Sequence, residues 1–286
     1  MKLIRYFFEF IAVILLFFIF KILGFKLASS LGGFIGQIIG PFFRSKKKIK
    51  LNIKKALPES EEKNIELIIQ KMWKNYGRIL SEYIFIKNFR NSKYKKFLEI
   101  NGQEILDEIK ASREPVVFIS GHFNNFELMA MQIEKSGIDL AAIYRPLNNI
   151  FLNKIMENIR IKHICRKQIK KGKAGARELL ELFKNNYSIA LMIDQRLSES
   201  IKIDFFGQEA STTTLPAQIT KKFGCKIVPI YIERKNEIYF KMTINKPITF
   251  KKESTVEEIT LKLNKWLEKM ILANPEQWIW SHDRWK

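Results

Sequence analysis

From Leu3 to Phe25 the chain carries only three charged residues, Arg5, Glu9 and Lys21, and from Phe10 to Phe20 it carries none. A segment this apolar must satisfy its backbone N–H and C=O groups internally, so it has to be a helix. A bilayer-spanning helix needs about 20 mostly apolar residues. The bare run Phe10–Phe20 is too short, but Leu3–Phe25 suffices if Arg5, Glu9 and Lys21 extend to the interfaces. The alternative is a signal peptide, with Lys2 and Arg5 as its basic start and Ala28-Ser29-Ser30 as its cleavage site. The length of the apolar region favours a retained anchor. So does the uncharged stretch that follows at once, Leu27–Phe43, which contains Gly32, Gly33, Gly36 and Gly40. This second stretch is either a buried helix or an interfacial one. Arg44, Lys46, Lys47, Lys48 and Lys50 come next. Basic residues gather on the cytoplasmic side of a span, which places the remainder of the chain in the cytoplasm. The chain therefore divides into residues 1–45, an anchor with an interfacial segment, and 46–286, a single large domain.

The formal net charge is +21. It reflects either a composition rich in Lys, Ile and Asn or an attraction to anionic partners, such as phospholipid headgroups or an acidic carrier protein. Nucleic acid is disfavoured, because no zinc-finger spacing, RNP motif or basic zipper accompanies the charge. The two cysteines, Cys165 and Cys225, form no CxxC, so neither a metal site nor a redox motif is expected.

Beyond the anchor, Lys46–Leu57 reads as a basic helix stopped by Pro58. Residues Glu59–Asn88 read as a helix with Ile65, Ile68, Ile69, Met72, Trp73 and Tyr76 on one face. From residue 115 the pattern alternates. Strands are expected at Pro115–Ser120, Leu140–Tyr144, Ser188–Ile193, Ile201–Phe206, Lys226–Ile232 and Ile238–Ile244, the last as a sheet edge. Helices are expected at Phe126–Lys135, Asn153–Arg160, Glu178–Lys184, Ala217–Phe223 and Thr255–Leu272. This is an α/β domain with one central, mostly parallel sheet flanked by helices.

The segment Ser120-Gly121-His122-Phe123-Asn124-Asn125-Phe126-Glu127 sets a histidine at a strand end and a carboxylate five residues later. On one continuous helix the two would point about 140° apart. With His122 in the loop and Asn124 or Asn125 capping the next helix, Glu127 falls in its first turn and can approach. A carboxylate on one imidazole nitrogen fixes the tautomer and stabilises the cation formed when the other nitrogen takes a proton. That suits a general base acting on an alcohol. The spacing is weak evidence alone, since a structural histidine beside a capping glutamate has the same pattern.

Further blocks follow in order: Tyr144-Arg145-Pro146, Arg160, Asp194-Gln195, Asp204-Phe205-Phe206-Gly207 with Thr212-Thr213-Thr214, and the ending Pro275-Glu276-Gln277-Trp278-Ile279-Trp280-Ser281-His282-Asp283-Arg284-Trp285-Lys286. With His122 to Glu127 and the Asn52–Glu59 segment, these resemble the late acyltransferases of lipid A biosynthesis, the lauroyl and myristoyl transferases, over almost the whole chain. The family signature is commonly H-x-G-N-W-E. Here it reads HFNNFE, with Asn124 in place of Gly and Phe126 in place of Trp.

The resemblance implies a glycerolipid-acyltransferase-like fold behind an inner-membrane anchor. It implies transfer of a fatty acyl group from an acyl carrier protein or coenzyme A thioester, the carrier protein favoured, to a hydroxyl of a lipid A precursor, without a cofactor. His122 is the expected base and Glu127 its orienting partner. Arg160 either stabilises the oxyanion or binds a substrate phosphate, unless it is a surface ion pair. Asp194 either holds Arg160 or Arg145 in place or caps a turn. Arg145 either touches an anionic substrate or is structural. The threonines line the site or form a strand edge, His163 lies at the surface, and His282 packs with Trp280 and Trp285. Two other readings share the motif: a related glycolipid or phospholipid acyltransferase of the phosphatidylinositol mannoside type, and a catalytically inactive lipid-binding relative. No cysteine lies in the motif and no G-x-S-x-G elbow is present, so direct transfer is expected rather than an acyl-enzyme.

Overall fold

A computed structural model describes residues 2–196 and 200–285. Lys286, the last residue of the terminal motif, lies outside the described residues. The elements in chain order are α1 (Lys2–Ile39), α2 (Lys46–Ala56), α3 (Glu62–Glu82), α4 (Ile86–Arg90), β1 (Leu98–Asn101), α5 (Gln103–Ser112), β2 (Val117–Ser120), α6 (Glu127–Lys135), β3 (Leu140–Tyr144), α7 (Ile150–His163), β4 (Lys167–Lys170), α8 (Lys173–Lys184), β5 (Ser188–Met192), β6 (Ile201–Phe205), β7 (Gln208–Thr212), α9 (Leu215–Phe223), β8 (Ile227–Lys235), β9 (Tyr239–Ile244) and α10 (Val256–Ala273).

Seven strands form one sheet in the order β1-β9-β8-β2-β5-β3-β4, and β6 and β7 form a separate antiparallel pair. Every pairing in the large sheet is parallel except β8 with β9. The expected α/β architecture is therefore present, with one correction. The strand read as an edge, Ile238–Ile244, is internal. It is covered by β1, whose four residues LEIN alternate only twice between half-buried and exposed and so give almost no periodic signal. The other true edge, β4, escapes notice for the same reason, with three of its four residues Lys or Gln.

Helix α1 changes direction at Gly24, where φ is 73°, a left-handed backbone that glycine adopts without a Cβ clash. Before the bend the helix is apolar and largely exposed, with Leu3, Ile4, Phe8, Leu15, Phe18 and Ile22 all more than half exposed. This helix is long and apolar enough to cross a membrane. After the bend, Gly32, Gly36 and Gly40 recur every four residues and face Trp73, Gly77 and Ser81 of α3, and Ala28, one turn earlier, is fully buried. A Cβ on Gly36 would stand 2.5 Å from the Trp73 carbonyl oxygen and 2.6 Å from the Gly77 Cα. Small residues at this spacing let two helix backbones meet closely. The stretch left open between a buried and an interfacial helix is thus packed on one face, while Leu27, Phe34 and Ile38 on the other stay exposed. The candidate cleavage site lies inside this helix, with Ala28 and Ser29 fully buried.

Part of the basic run after the anchor is answered within the chain. Lys46 lies 2.7 Å and Lys50 2.5 Å from Glu66 on α3, and Lys50 also pairs with Glu62.

Candidate active site

Strand β2 is buried throughout and runs beside β5, with Ser120 paired to Met192. Two residues beyond each member of that pair stand His122 and Asp194, so parallel register brings together groups 72 positions apart. His122 Nδ1 is 2.7 Å from Asp194 Oδ1, and the His122 backbone N–H donates to Oδ2 at 2.6 Å. The Trp278 indole N–H donates to the same Oδ2 at 2.9 Å. Gly121 allows this approach, since a Cβ there would meet the Phe123 ring at 2.8 Å and Asp194 Oδ2 at 3.3 Å. Asp194 is fully buried. Burial works to raise its pKa, but the His122 charge and the donated hydrogen bonds outweigh it and hold the carboxyl at about 2. With Nδ1 donating to a permanent carboxylate, neutral His122 carries its lone pair on Nε2.

One expectation about carboxylates is corrected here, and of the alternatives for Asp194 the turn cap is the one present, through the His122 backbone N–H. Among the described residues, the carboxylate on the His122 ring is Asp194, whereas Glu127 meets Arg160. Arg160 Nε and Nη2 donate to Glu127 Oε1 at 2.8 and 2.6 Å, and both side chains are mostly buried. The reason is local geometry. Helix α6 starts at Glu127 itself, its N-cap is Phe126 rather than an asparagine, and no side-chain cap bond forms. Glu127 thereby joins α6 to α7. Burial works to lower the Arg160 pKa, and the Glu127 charge beside it produces a net rise. The guanidinium also lies 5.5 Å from the Tyr144 ring centroid, a cation–π contact. Asp194 holds neither Arg160 nor Arg145.

The two departures from the signature both have a place. Asn124 sits at φ 44°, a left-handed position that suits glycine and that asparagine tolerates. Its amide donates to Gln277 Oε1 at 2.6 Å and to the Ile232 carbonyl at 3.1 Å. Phe126 meets the His122 ring edge to face at 4.9 Å. Asn125 Nδ2 reaches Glu82 Oε2 at 3.4 Å. Glu82 is fully buried and is held by Arg234 at 2.7 and 3.0 Å and by Ser29 of α1 at 2.7 Å. The turn carrying His122 is thus tied to the helix that begins the chain.

His122, Glu127, Arg160 and Arg145 all line one cleft of about 910 Å³ at the carboxyl ends of β2, β5 and β3, the usual ligand position in such sheets. Its lining is largely apolar, including Phe118, Met129, Ile133, Ala142, Ile164 and Ala190. Thr213 and Thr214 line it as well, while Thr212 ends β7 and accepts from buried Arg284 at 3.0 Å. Arg145 is exposed on the rim.

The family model described as bacterial lipid A biosynthesis acyltransferase matches residues 1–286. The chain belongs to that family. The acyltransferase is 23% identical over 263 residues to the lipid A biosynthesis lauroyltransferase of Escherichia coli K12, covering 90% of this chain and 84% of the relative. It is 22% identical to the palmitoleoyltransferase of the same organism, with the same coverage, and 20% identical to its myristoyltransferase, with 86% and 77% covered.

Two residues that the sequence places only within motif blocks, Gln195 and His282, also line the cleft of the acyltransferase. Gln195 lies between two rings, its Nε2 being 3.2 Å from His122 Nε2 and 3.1 Å from His282 Nε2. His282, expected to pack with Trp280 and Trp285, lines the cleft. A cue lay in its place inside a terminal motif dense in Trp and Arg. That motif folds back onto the site: Trp278 reaches Asp194, Trp285 donates to the Phe205 carbonyl, and Asn52 of α2 donates to the carbonyls of Trp280 and His282.

Proposed function

We propose that this acyltransferase moves a fatty acyl group from an acyl carrier protein thioester to a hydroxyl of a lipid A precursor, as a late, secondary acylation, with His122 as general base. The observation carrying this reading is the His122 ring, fixed at Nδ1 by Asp194 and open to the cleft on its other side. His122 Nε2 takes the acceptor hydroxyl proton as that oxygen bonds to the thioester carbon. The tetrahedral intermediate then collapses, the C–S bond breaks, and the sulfur leaves with its electron pair and takes the proton back from His122. The products are an ester and a free thiol. Asp194 stabilises the transient imidazolium. Glu127 acts at one remove, holding Arg160 where its charge faces the substrate, and Arg145 offers a second cation at the rim.

Direct transfer is supported by the cysteines. Neither lines the cleft, and burial pushes the Cys165 thiol up to about 12, far from a reactive thiolate. The apolar lining suits a long acyl chain. The names of the relatives cover lauroyl, palmitoleoyl and myristoyl groups. The charge of +21 favours an acidic carrier. The exposed half of α1 before Gly24 suits a bilayer, with Arg44, Lys47 and Lys48 on its cytoplasmic side.

The test uses the full chain in detergent or lipid discs, a hydroxylated lipid A precursor, and matched acyl carrier protein and coenzyme A donors, with products read by mass spectrometry. A gain of one acyl group from the carrier-bound donor is expected, and a folded His122→Ala variant should be inactive. Near-normal turnover in that variant removes His122 as base. Transfer only from coenzyme A removes the carrier assignment, and no transfer to the precursor from either donor removes the acceptor.

A further inference from the structure

Gln195 Nε2 is almost equidistant from both nitrogens of His122, 3.4 Å from Nδ1 and 3.2 Å from Nε2. A point so placed lies over the face of the ring, not in its plane. Among the described residues no other polar atom lies within hydrogen-bond distance of Nε2, so its in-plane lone pair can take the acceptor hydroxyl proton, with the amide beside the line along which that proton moves. The same amide nitrogen is 3.1 Å from His282 Nε2. The two histidine rings lie 6.4 Å apart with Gln195 between them.

An amide has a donating end and an accepting end, and rotation by half a turn exchanges them. Something must select which end faces the reacting atoms. Neutral His282 does so in the tautomer protonated at Nδ1, whose Nε2 accepts from an N–H and repels a carbonyl oxygen. Burial holds the His282 pKa below the usual value, reinforced by His122, Arg44 and Arg145 and opposed by Asp194, so the ring is neutral at pH 7. Its backbone is pinned by Asn52, whose amide donates to the His282 carbonyl at 2.9 Å.

We propose that Gln195 donates its second N–H to the carbonyl oxygen of the acyl group as that oxygen becomes an oxyanion, and that His282 is the positioning residue that keeps the donating end of the amide turned toward it. Arg160 is not equivalent, since it is anchored on Glu127 through Nε and Nη2 and its remaining N–H groups bring a fixed positive charge to the cleft rather than a neutral donor beside the base. A neutral donor preorganised beside the base acts on charge that develops only in the transition state, so it raises kcat more than it lowers KM. This inference rests on the reading of His122 as general base.

The test is steady-state acyl transfer by the full-length enzyme carrying Gln195→Met, His282→Ala, His282→Gln, or Gln195→Met with His282→Ala. Gln195→Met keeps the shape and removes the donor. It should lower kcat about a hundredfold with little change in either KM. His282→Ala should lower kcat about tenfold, and His282→Gln, which restores an acceptor, should recover most of the loss. The double variant should be no slower than Gln195→Met alone, because His282 acts only through Gln195. A general packing role would instead give additive losses and no recovery by glutamine. If the methionine variant folds poorly, Gln195→Leu removes the same donor without adding a charge and should show the same kcat loss. Near-normal kcat in Gln195→Met, or additive losses in the double variant, overturns the proposal. His122→Ala separates the two readings: an inactive His122→Ala beside a normal Gln195→Met removes this inference alone, and an active His122→Ala removes the base assignment beneath it.

Discussion

Two carboxylates approach the cleft from different kinds of structure. Asp194 stands just beyond a buried parallel strand, has no exposure, and takes three hydrogen bonds from His122 and Trp278. Glu127 opens a helix, is slightly exposed, and spends one oxygen on a single arginine. The strand end holds its carboxylate through neighbours on both sides, so the group is rigid and charged at neutral pH. The helix start holds its carboxylate through one ion pair between two helices, so the group positions a cation. Sheet register fixes His122, and helix packing fixes the charge around it.

Substitutions at the two positions should separate these roles. The largest effect is expected for Asp194→Asn, which removes the charge behind His122 and offers the wrong partner for its tautomer. Turnover should fall by about 10³-fold or more, measured as kcat with folding checked by circular dichroism. A folded Asp194→Asn variant within tenfold of normal would return the orienting role to Glu127.

Glu127→Gln should act mainly by leaving Arg160 buried without a counter-charge. Stability should drop by about 3 kcal/mol in denaturant titration, with turnover falling as well. Removing Arg160 too, as Glu127→Ala with Arg160→Ala, should recover part of the stability relative to Glu127→Ala but not the activity. No recovery would mean that the pair adds little to the fold.

Acid should expose the strand-end pair next. The Asp194 pKa is held at about 2 against an ordinary 3.8. A lowered carboxyl pKa contributes stability that is fully present above about pH 4 and is lost as pH falls through about 2, roughly 2 kcal/mol in total. Asp194→Asn should abolish that part of the acid transition. His122→Ala should move it to higher pH, because burial then acts on Asp194 without the opposing imidazolium. An unchanged acid limb in both variants would show that the pair does not set it.

The smallest effect is expected at the rim. Arg145→Ala, on an exposed side chain, should leave stability within about 0.5 kcal/mol and change KM rather than kcat. A large kcat loss there would move Arg145 inward to the reacting atoms.

Legibility in the sequence followed the length and regularity of each pattern. The buried strands after residue 115, the stripe on α3 and the apolar start each persist long enough to be read. The sheet margins do not: β1 and β4 have four residues each and expose half of them, so their pairing is decided by the strands beside them. Within the site, His122 was visible because it follows an apolar strand and a glycine. Gln195 and His282 were not, because the partners that place them in the site are distant in the chain. Their neighbour is His122, 73 and 160 positions away respectively, and only packing brings the three together.

The sequence by itself determined that the chain begins with a helix apolar enough for a membrane, continues as an α/β domain, and carries the ordered motifs of lipid A biosynthesis acyltransferases. Those conclusions rest on composition, periodicity and motif order, which a linear chain displays directly. The tertiary structure alone decided which acid serves the histidine. Local spacing pointed to Glu127, five residues on, because nearness along the chain is all a sequence can measure. The fold inserts β5 beside β2, and parallel register then sets Asp194 against His122, while the first turn of α6 carries Glu127 to Arg160. Strand order is a property of the whole sheet, and no segment shorter than the sheet contains it.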